Sequence, residues 1–600
     1  MKAFTSCIFR AGLATLILAG CLSTGGERLA PAPGSFPEIS PPVSEEKYMI
    51  HSAKISSVKL DKSYYPPGDA VRLEIHMLSE VEKPAPAQLT AQISHLLEPV
   101  GRVTQEVHLT AGEQVFELVY SPPPVAPRGY GVDFRIETEH GELLAFSSTA
   151  FDVLEHWTQT PRYGFLSDFG PERQDTKETI GLLTRYHING LQFYDWMYRH
   201  EQFLTGEDPY LDILGRRLSR KTVDALISAA HERGMAAMPY TAVYGSSIAF
   251  YEQHPDWALL NPRGEPALFG ENFMVIMDPR PGSPWTVHLL DQFKQVLENT
   301  AFDGIHLDQY GDPREGYDDK GNRYNLAEPL AEIINSTKDL VRNVRPDGSV
   351  VFNAVTNWPI ESVAPAGQDL VYIEVWSPYN WFNDLHHLVV EAQVLGGGKP
   401  VVLAAYIDPA YEHNVRLMDA IIFASGAGHI ELGERAVMLA DPYFPKYKEM
   451  SPALAGAVRR LYDFAVRYQD VIGPRTRDAT RDYQQRISVE GVSTAPNAMK
   501  DKVWPIVRET QGMTAVNLIN LLGLEKPDWK EPVPNAPSPL GRTIVQIRDV
   551  ERTAVRAWLA SPDGEDLSPR LLNMQQENHR LSFEIPQLSY WDLIVIEWSD

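Results

Sequence analysis

Hydrophobic positions along this 600-residue chain repeat with two different periods, and the switches between them divide it. From 50 to 155 the period is two. Val71, Leu73 and Ile75 alternate with Arg72, Glu74 and His76 behind a Pro66-Pro67-Gly68-Asp69 turn. Val132, Phe134 and Ile136 alternate with polar partners after Gly129-Tyr130-Gly131. Short alternating runs between Pro/Gly turns predict an N-terminal β-sandwich of immunoglobulin-like size. From 156 to 472 short apolar runs, too brief for helices, fall at 163–166, 190–194, 236–241, 304–307, 350–354, 371–375, 400–405 and 429–432. Stretches with helical spacing lie between them, among them 221–233, 284–299, 326–342 and 414–424. Eight β/α units in roughly 300 residues predict a (β/α)8 TIM barrel. A doubly wound sheet is the alternative, but the chain carries no Gly-rich phosphate loop to favour it. The connection after the third strand, 242–284, is long and rich in aromatics and prolines, as loops that shape substrate sites often are. From 473 to 600 period two returns and predicts a C-terminal antiparallel β-sandwich.

The first 49 residues belong to neither pattern. Lys2 and Arg10 precede an apolar run, 11–19, too short to span a bilayer and suited to a signal peptide ending at residue 20. Leu18-Ala19-Gly20-Cys21 looks like a bacterial lipobox, with Cys21 as the lipidated first residue of the mature protein. Residues 21–49, rich in Pro, Ser, Gly and Glu, read as a flexible tether. The expectation is an exported lipoprotein, with Leu22 after the cysteine resembling the outer-membrane sorting pattern. Membrane contact would then be through the lipid anchor alone. The only other cysteine, Cys7, lies within the signal, so the mature protein has no disulfide to form.

Charge narrows the partner class. With 54 basic and 79 acidic residues the net charge is −25, which disfavours nucleic acid. Twelve Trp and 26 Tyr supply flat faces suited to sugar rings, although most such residues in any protein are core. Polar and aromatic residues gather at the C-terminal ends of the predicted barrel strands, where such folds hold their chemistry. The second end offers Tyr194, Asp195 and Trp196, the third Tyr240, the fourth Asp308, Gln309 and Asp312 beside His306, the fifth Asn353, the sixth Glu374 and Trp376, and the eighth Glu431. A lone Asp after a strand is commonly a helix cap. Glu374, inside Val371-Tyr372-Ile373-Glu374-Val375-Trp376, is harder to dismiss, because an idle carboxylate in an apolar strand is costly. Carboxylates, amides and aromatics on one rim suit glycosidic-bond cleavage by two carboxyl groups, which needs no cofactor. On spacing alone either Asp308 or Asp312 fits a nucleophile. No His/Asp spacing suggests zinc, and no GxSxG elbow is present.

The block from Pro161 to Phe169 with Tyr186-His187-Ile188-Asn189-Gly190-Leu191-Gln192-Phe193-Tyr194-Asp195-Trp196-Met197-Tyr198 resembles family 66 of the glycoside hydrolases. So do Asp303-Gly304-Ile305-His306-Leu307-Asp308-Gln309, the Glu374 block and Gly428-His429-Ile430-Glu431-Leu432-Gly433. That family contains endo-dextranases and cycloisomaltooligosaccharide glucanotransferases. The resemblance implies a retaining double displacement on α-1,6-linked glucan, dextran or isomaltooligosaccharides, with Asp308 as nucleophile and Glu374 as acid/base. Tyr194, Asp195, Trp196, Tyr240, His306, Gln309, Asp312, Asn353, Trp376 and Glu431 are expected to line the sugar. Cyclising members carry a binding module inserted in the barrel, and no module-sized insertion is visible here, which favours endo-hydrolysis. A hydrolase of another α-glucan and a non-catalytic glycan-binding lipoprotein stay open.

Overall fold

The computed structural model describes residues 53–81, 84–270, 273–318, 320–442 and 445–599. The signal segment, Cys21 and the 21–49 tether therefore lie outside the described residues. No helix among the described residues is long and apolar enough to cross a membrane.

Two antiparallel sheets form the N-terminal domain. One holds Ala53–Leu60, Val71–Ser79 and Gly112–Tyr120; the other runs in the order Glu98–Leu109, Ala85–His95, Arg128–Thr138, Leu143–Val153. Alternation sends Leu73, Ile75 and Met77 from the first sheet and Leu89, Ile93, Val132 and Phe134 from the second into one shared core. The C-terminal domain repeats the principle with a six-stranded and a four-stranded antiparallel sheet. Val503, Val507, Val516 and Ile594 on one face meet Ile547, Leu581, Phe583 and Ile585 on the other.

Between them stand eight parallel strands in sequential order: β1 (Tyr163–Leu166), β2 (Gly190–Phe193), β3 (Ala236–Ala242), β4 (Gly304–Asp308), β5 (Ser349–Val355), β6 (Leu370–Glu374), β7 (Val401–Ala404) and β8 (Gly428–His429). Helices follow each in turn: α1 (Thr176–Thr184), α2 (Arg220–Glu232), α3 (Pro284–Asn299), α4 (Ala327–Val344), α5 (Ile360–Val363), α6 (Phe382–Leu395), α7 (Glu412–Ala424) and α8 (Pro452–Arg467). α5 is a single turn. α3 and α8 start as their sequences dictate: Ser283 and Ser451 accept from the backbone N–H of Thr286 and Leu454, with a proline at the first helical position. β8 is shorter than its apolar run, but Phe165 N–H donates to Leu432 O (3.0 Å) and Phe165 bridges Gly433, so the last strand reaches back to the first. β4 and β5 touch closely; a Cβ on Gly304 would stand 1.9 Å from the Ser349 carbonyl oxygen.

Strand parity sorts the side chains into two layers. Phe165, Met238, Val351, Tyr372, Ala404 and Ile430 fill the barrel's interior. Leu191, Ile305, Leu307, Val350, Val371 and Ile373 face the helices. The long connection after β3 is not a bare loop: it folds into a helix, Ile248–Gln253, and a small antiparallel sheet of Gly245–Ser246, Leu268–Phe269 and Met274–Ile276.

Buried ion pairs tie the N-terminal domain to the barrel. Arg162 is held by both oxygens of Asp152 (2.9 and 3.1 Å), and Arg467 by both oxygens of Asp133 (2.7 and 2.8 Å). Bidentate pairing of this kind fixes orientation as well as proximity.

Candidate active site

Three adjacent strands build the site. β4 runs inward-facing residues Gly304, His306 and Asp308; β5 runs Val351, Asn353 and Val355; β6 runs Leu370, Tyr372 and Glu374. Asp308 and Glu374 end their strands and Asn353 lies two residues before the end of β5, so three polar side chains converge where the apolar interior stops. Asn353 stands between the two acids, and its Nδ2 donates to Asp308 Oδ1 (2.7 Å) and to Glu374 Oε2 (2.9 Å). Those two oxygens can be no further apart than the two bonds laid end to end, about 5.6 Å. Tyr240 at the end of β3 donates its hydroxyl to Asp308 Oδ2 (2.9 Å). The Trp376 and Tyr406 side chains stand by Glu374 and favour its ionised form.

The electrostatics follow from burial. Glu374 is 9% exposed, whereas Asp308 keeps part of its surface open to the cleft. Poor solvation, and then the Glu374 charge beside it, push Asp308 up to about 7, against the pull of its Tyr240 and Asn353 donors. Burial likewise raises Glu374, opposed by Asn353, Trp376 and Tyr406. Two interacting carboxyls of this kind titrate as a pair. Burial raises the phenols of Tyr240 and Tyr406 well above 10, so both remain donors throughout the physiological range.

The other expected residues divide into rim and scaffold. Tyr194 packs its ring 4.6 Å from that of Tyr240 at the rim. Asp195, at a left-handed φ of 51°, pairs with Arg216 at 3.4 Å, and burial lifts it to about 7 despite that cation. Trp376 is half-buried on the β6 side, and Asp312 is exposed on the loop after β4. Four residues turn away from the cleft. His306 lies beneath Asp308, stacked on Tyr163 and bonded to its hydroxyl (3.0 Å); burial drives it down to about 3, so it is neutral. Trp196 is in the core, edge-on to Phe302, its indole N–H on the Tyr240 carbonyl (3.2 Å). Gln309 braces the loops, donating to Trp358 O (3.1 Å) and accepting from Gly311 N–H (2.6 Å).

Glu431 is the fourth. Ile430 takes the inward position on that strand, so His429 and Glu431 face the helix layer and meet Asp419 of α7. His429 Nε2 donates to Ala405 O (3.1 Å), and Nδ1 lies 2.8 Å from Asp419 Oδ1. All three residues are buried. The ligand atoms of the three lie close enough together to admit a cation. Burial and the Asp419 charge raise Glu431 to about 8, and burial raises Asp419 well above the usual range.

Tyr406 is a residue that sequence reasoning passed over. It follows β7 as Tyr194 follows β2, so the strand-end rule that singled out the others would have found it.

A parallel barrel with two carboxyls bridged by an amide at its C-terminal rim defines a glycoside-processing class of site. The comparisons make the class specific. The model of glycosyl hydrolase family 66 matches residues 60–595, and the chain belongs to that family. A cycloisomaltooligosaccharide glucanotransferase of Niallia circulans is 24% identical, covering 93% of this chain and 73% of that protein. A dextranase of Streptococcus salivarius is 22% identical over 84% of this chain and 72% of its own length. The solved cycloisomaltooligosaccharide glucanotransferase of a Paenibacillus species, complexed with cycloisomaltoheptaose, shares the fold at a TM-score of 0.84, with 24% identity over 90% of this chain and 100% of that one.

Proposed function

We propose that the protein is a retaining endo-dextranase that cleaves internal α-1,6-glucosidic bonds of dextran to isomaltooligosaccharides. The observation that carries this is the Asn353 bridge. It keeps the two acids within about 5.6 Å, close to the 5–5.5 Å of retaining enzymes and short of the 6.5–9.5 Å that leaves room for an inverting water. Asp308, the more open of the pair, attacks the anomeric carbon; Glu374, protonated, gives its proton to the departing oxygen. In the second step Glu374 takes a proton from water, whose oxygen displaces Asp308 from the sugar. Tyr240 and Asn353 hold the Asp308 oxygens in place for attack.

Transfer to a sugar hydroxyl instead of water is the second reading, favoured by the names of the Niallia and Paenibacillus relatives. Hydrolysis is preferred because the described residues of the barrel's enlarged connection, 243–283, form two short helical segments and a small sheet. Product analysis on dextran separates the two: linear isomaltooligosaccharides support the dextranase, cyclic products the transferase. No turnover of dextran, with turnover of another α-glucan, would overturn the substrate.

Two further readings concern the rest of the chain. The N-terminal sandwich is proposed to be immunoglobulin-like; its three-plus-four strand order supports this. Anchoring at Cys21 is supported by Leu18-Ala19-Gly20-Cys21, and its placement at the outer membrane by Leu22 after the cysteine. Membrane fractionation of wild type against Cys21→Ser tests it: an unchanged distribution would overturn it.

A further inference from the structure

The barrel closes on its shortest strand. β8 pairs with β7 over two residues, Val402 with Gly428 and Leu403 with His429. Beyond it, Ile430 N–H donates to Leu403 O (2.9 Å) and Phe165 N–H of β1 to Leu432 O (3.0 Å). So short a ladder leaves the seam to be held by other means. Behind it, on the helix side, Asp419 of α7 meets His429 and Glu431.

His429 Nε2 faces the Ala405 carbonyl, which can only accept, so that nitrogen carries the hydrogen. In the neutral imidazole Nδ1 then turns its lone pair toward Asp419 Oδ1 (2.8 Å) and Glu431 Oε2 (3.5 Å). One ligand atom from each of the three residues lies within 4.8 Å of the others. Asp419 is fully buried, and His429 and Glu431 are 1% and 2% exposed. Asp419 Oδ2 and both Glu431 oxygens meet no donor in hydrogen-bonding geometry among the described residues. Tyr462 stands by Glu431, but its hydroxyl goes to the His429 carbonyl (3.3 Å). Apart from protons they could share, electron pairs converge here in a dry space, which is costly unless a cation lies among them.

We propose that Asp419, His429 and Glu431 are the protein ligands of a structural zinc ion that staples α7 to β8 and secures the closure of the barrel. One imidazole nitrogen and two carboxylates suit zinc; calcium and magnesium take oxygen ligands instead. The Ala405 carbonyl acts as the outer partner that zinc-bound histidines require, fixing the tautomer and aiming the free nitrogen. The second oxygen of Glu431, left without a donor, can complete the shell. Zinc needs both acids ionised, so cation and proton are alternative occupants, and binding one expels the other. Ile430, not Glu431, faces the barrel interior, so the site takes no part in the chemistry at the rim. No short ligand motif announces it, because position 419 lies on a helix and 429 and 431 at and just after the next strand.

The experiment measures metal content in the full chain, refolded with excess zinc and then dialysed against EDTA. Wild type is expected to keep about one equivalent of zinc while folded, because the site is sealed, and to release it when guanidinium unfolds the chain. The Asp419→Asn/Glu431→Gln double variant should hold less than about 0.1 equivalent, since neutral amides are poor zinc ligands, whereas Glu374→Gln, altered at the rim, should keep it all. Should the double variant fail to fold, wild type refolded with cobalt(II) decides: a visible absorption band and the paramagnetically shifted protons of one imidazole are expected. Wild type with less than about 0.1 equivalent of zinc, undiminished zinc in the folded double variant, or a cobalt form with no bound imidazole would overturn the inference.

Discussion

The barrel holds two buried carboxyl pairs, Asp308 with Glu374 on the rim and Asp419 with Glu431 behind β8. Both are raised by burial, and each sits beside a second acid. They differ in what surrounds the charge. The rim pair has Tyr240 and Asn353 donating to named oxygens, and Trp376 and Tyr406 favouring ionised Glu374. The sealed pair has His429, Tyr462 and one another, and is closed off from the cleft. A pair with its own donors can be ionised, neutral and ionised again during a reaction cycle, which two displacement steps require. A pair that depends on shared protons is stable in one state and has no route to a substrate. Raised carboxyl groups alone therefore do not mark an active site; access and a set of waiting donors do.

The largest test of this contrast is to neutralise one acid in each pair. Asp308→Asn and Glu374→Gln are each expected to lose at least about 10³-fold in kcat/KM on dextran while melting at or above the wild-type temperature. Glu431→Gln should keep kcat/KM within about threefold of wild type. A large activity loss in Glu431→Gln, with the fold intact by circular dichroism, would erase the distinction. Next comes the bridge: Asn353→Ala removes a donor from both rim acids at once and is expected to cost about 10²-fold in kcat.

The sealed pair should show itself in stability. Glu431 is lifted to about 8 in the folded chain, against about 4.3 unfolded, so between those values the folded state holds a proton that the unfolded state has released. Its contribution is fully present below pH 4.3 and is lost as pH rises through 8. Calorimetric melting temperatures of metal-free wild type should accordingly fall between pH 5 and pH 8 more steeply than those of Glu431→Gln. Parallel curves would show that Glu431 is not the proton holder. The smallest effect is expected from Tyr406→Phe, which removes one donor of several from Glu374: a loss of about threefold in kcat, with the basic limb of the pH–rate profile moved upward.

How the site was legible in the chain can be followed residue by residue. Asp308 stood out because it ends an apolar run in a chain whose runs alternate with helical spacing, and Glu374 because it is a carboxylate within one. Glu431 stood out by the same rule and points elsewhere. In a parallel barrel both faces of a strand are dry, the interior on one side and the helices on the other, so alternation between Ile430 and Glu431 does not say which side is which. Trp196 was misplaced for another reason. β2 ends at Phe193, and Asp195 turns the backbone into the left-handed region, so strand parity no longer governs the residue after it. Asp419 had no local signal at all; it stands among apolar residues of α7 and meets His429 only because that helix packs behind β8.

By itself, then, the amino-acid sequence determined what repeats locally: two β regions around a β/α region, the ends of the strands, and which ends carry acids, since period and turn chemistry are properties of neighbouring residues. The tertiary structure decided which acids meet. The Asn353 bridge, the outward turn of Glu431 and its meeting with Asp419 depend on register between strands and on the packing of helix against strand. Those are set by how distant surfaces pack together, which no local pattern encodes.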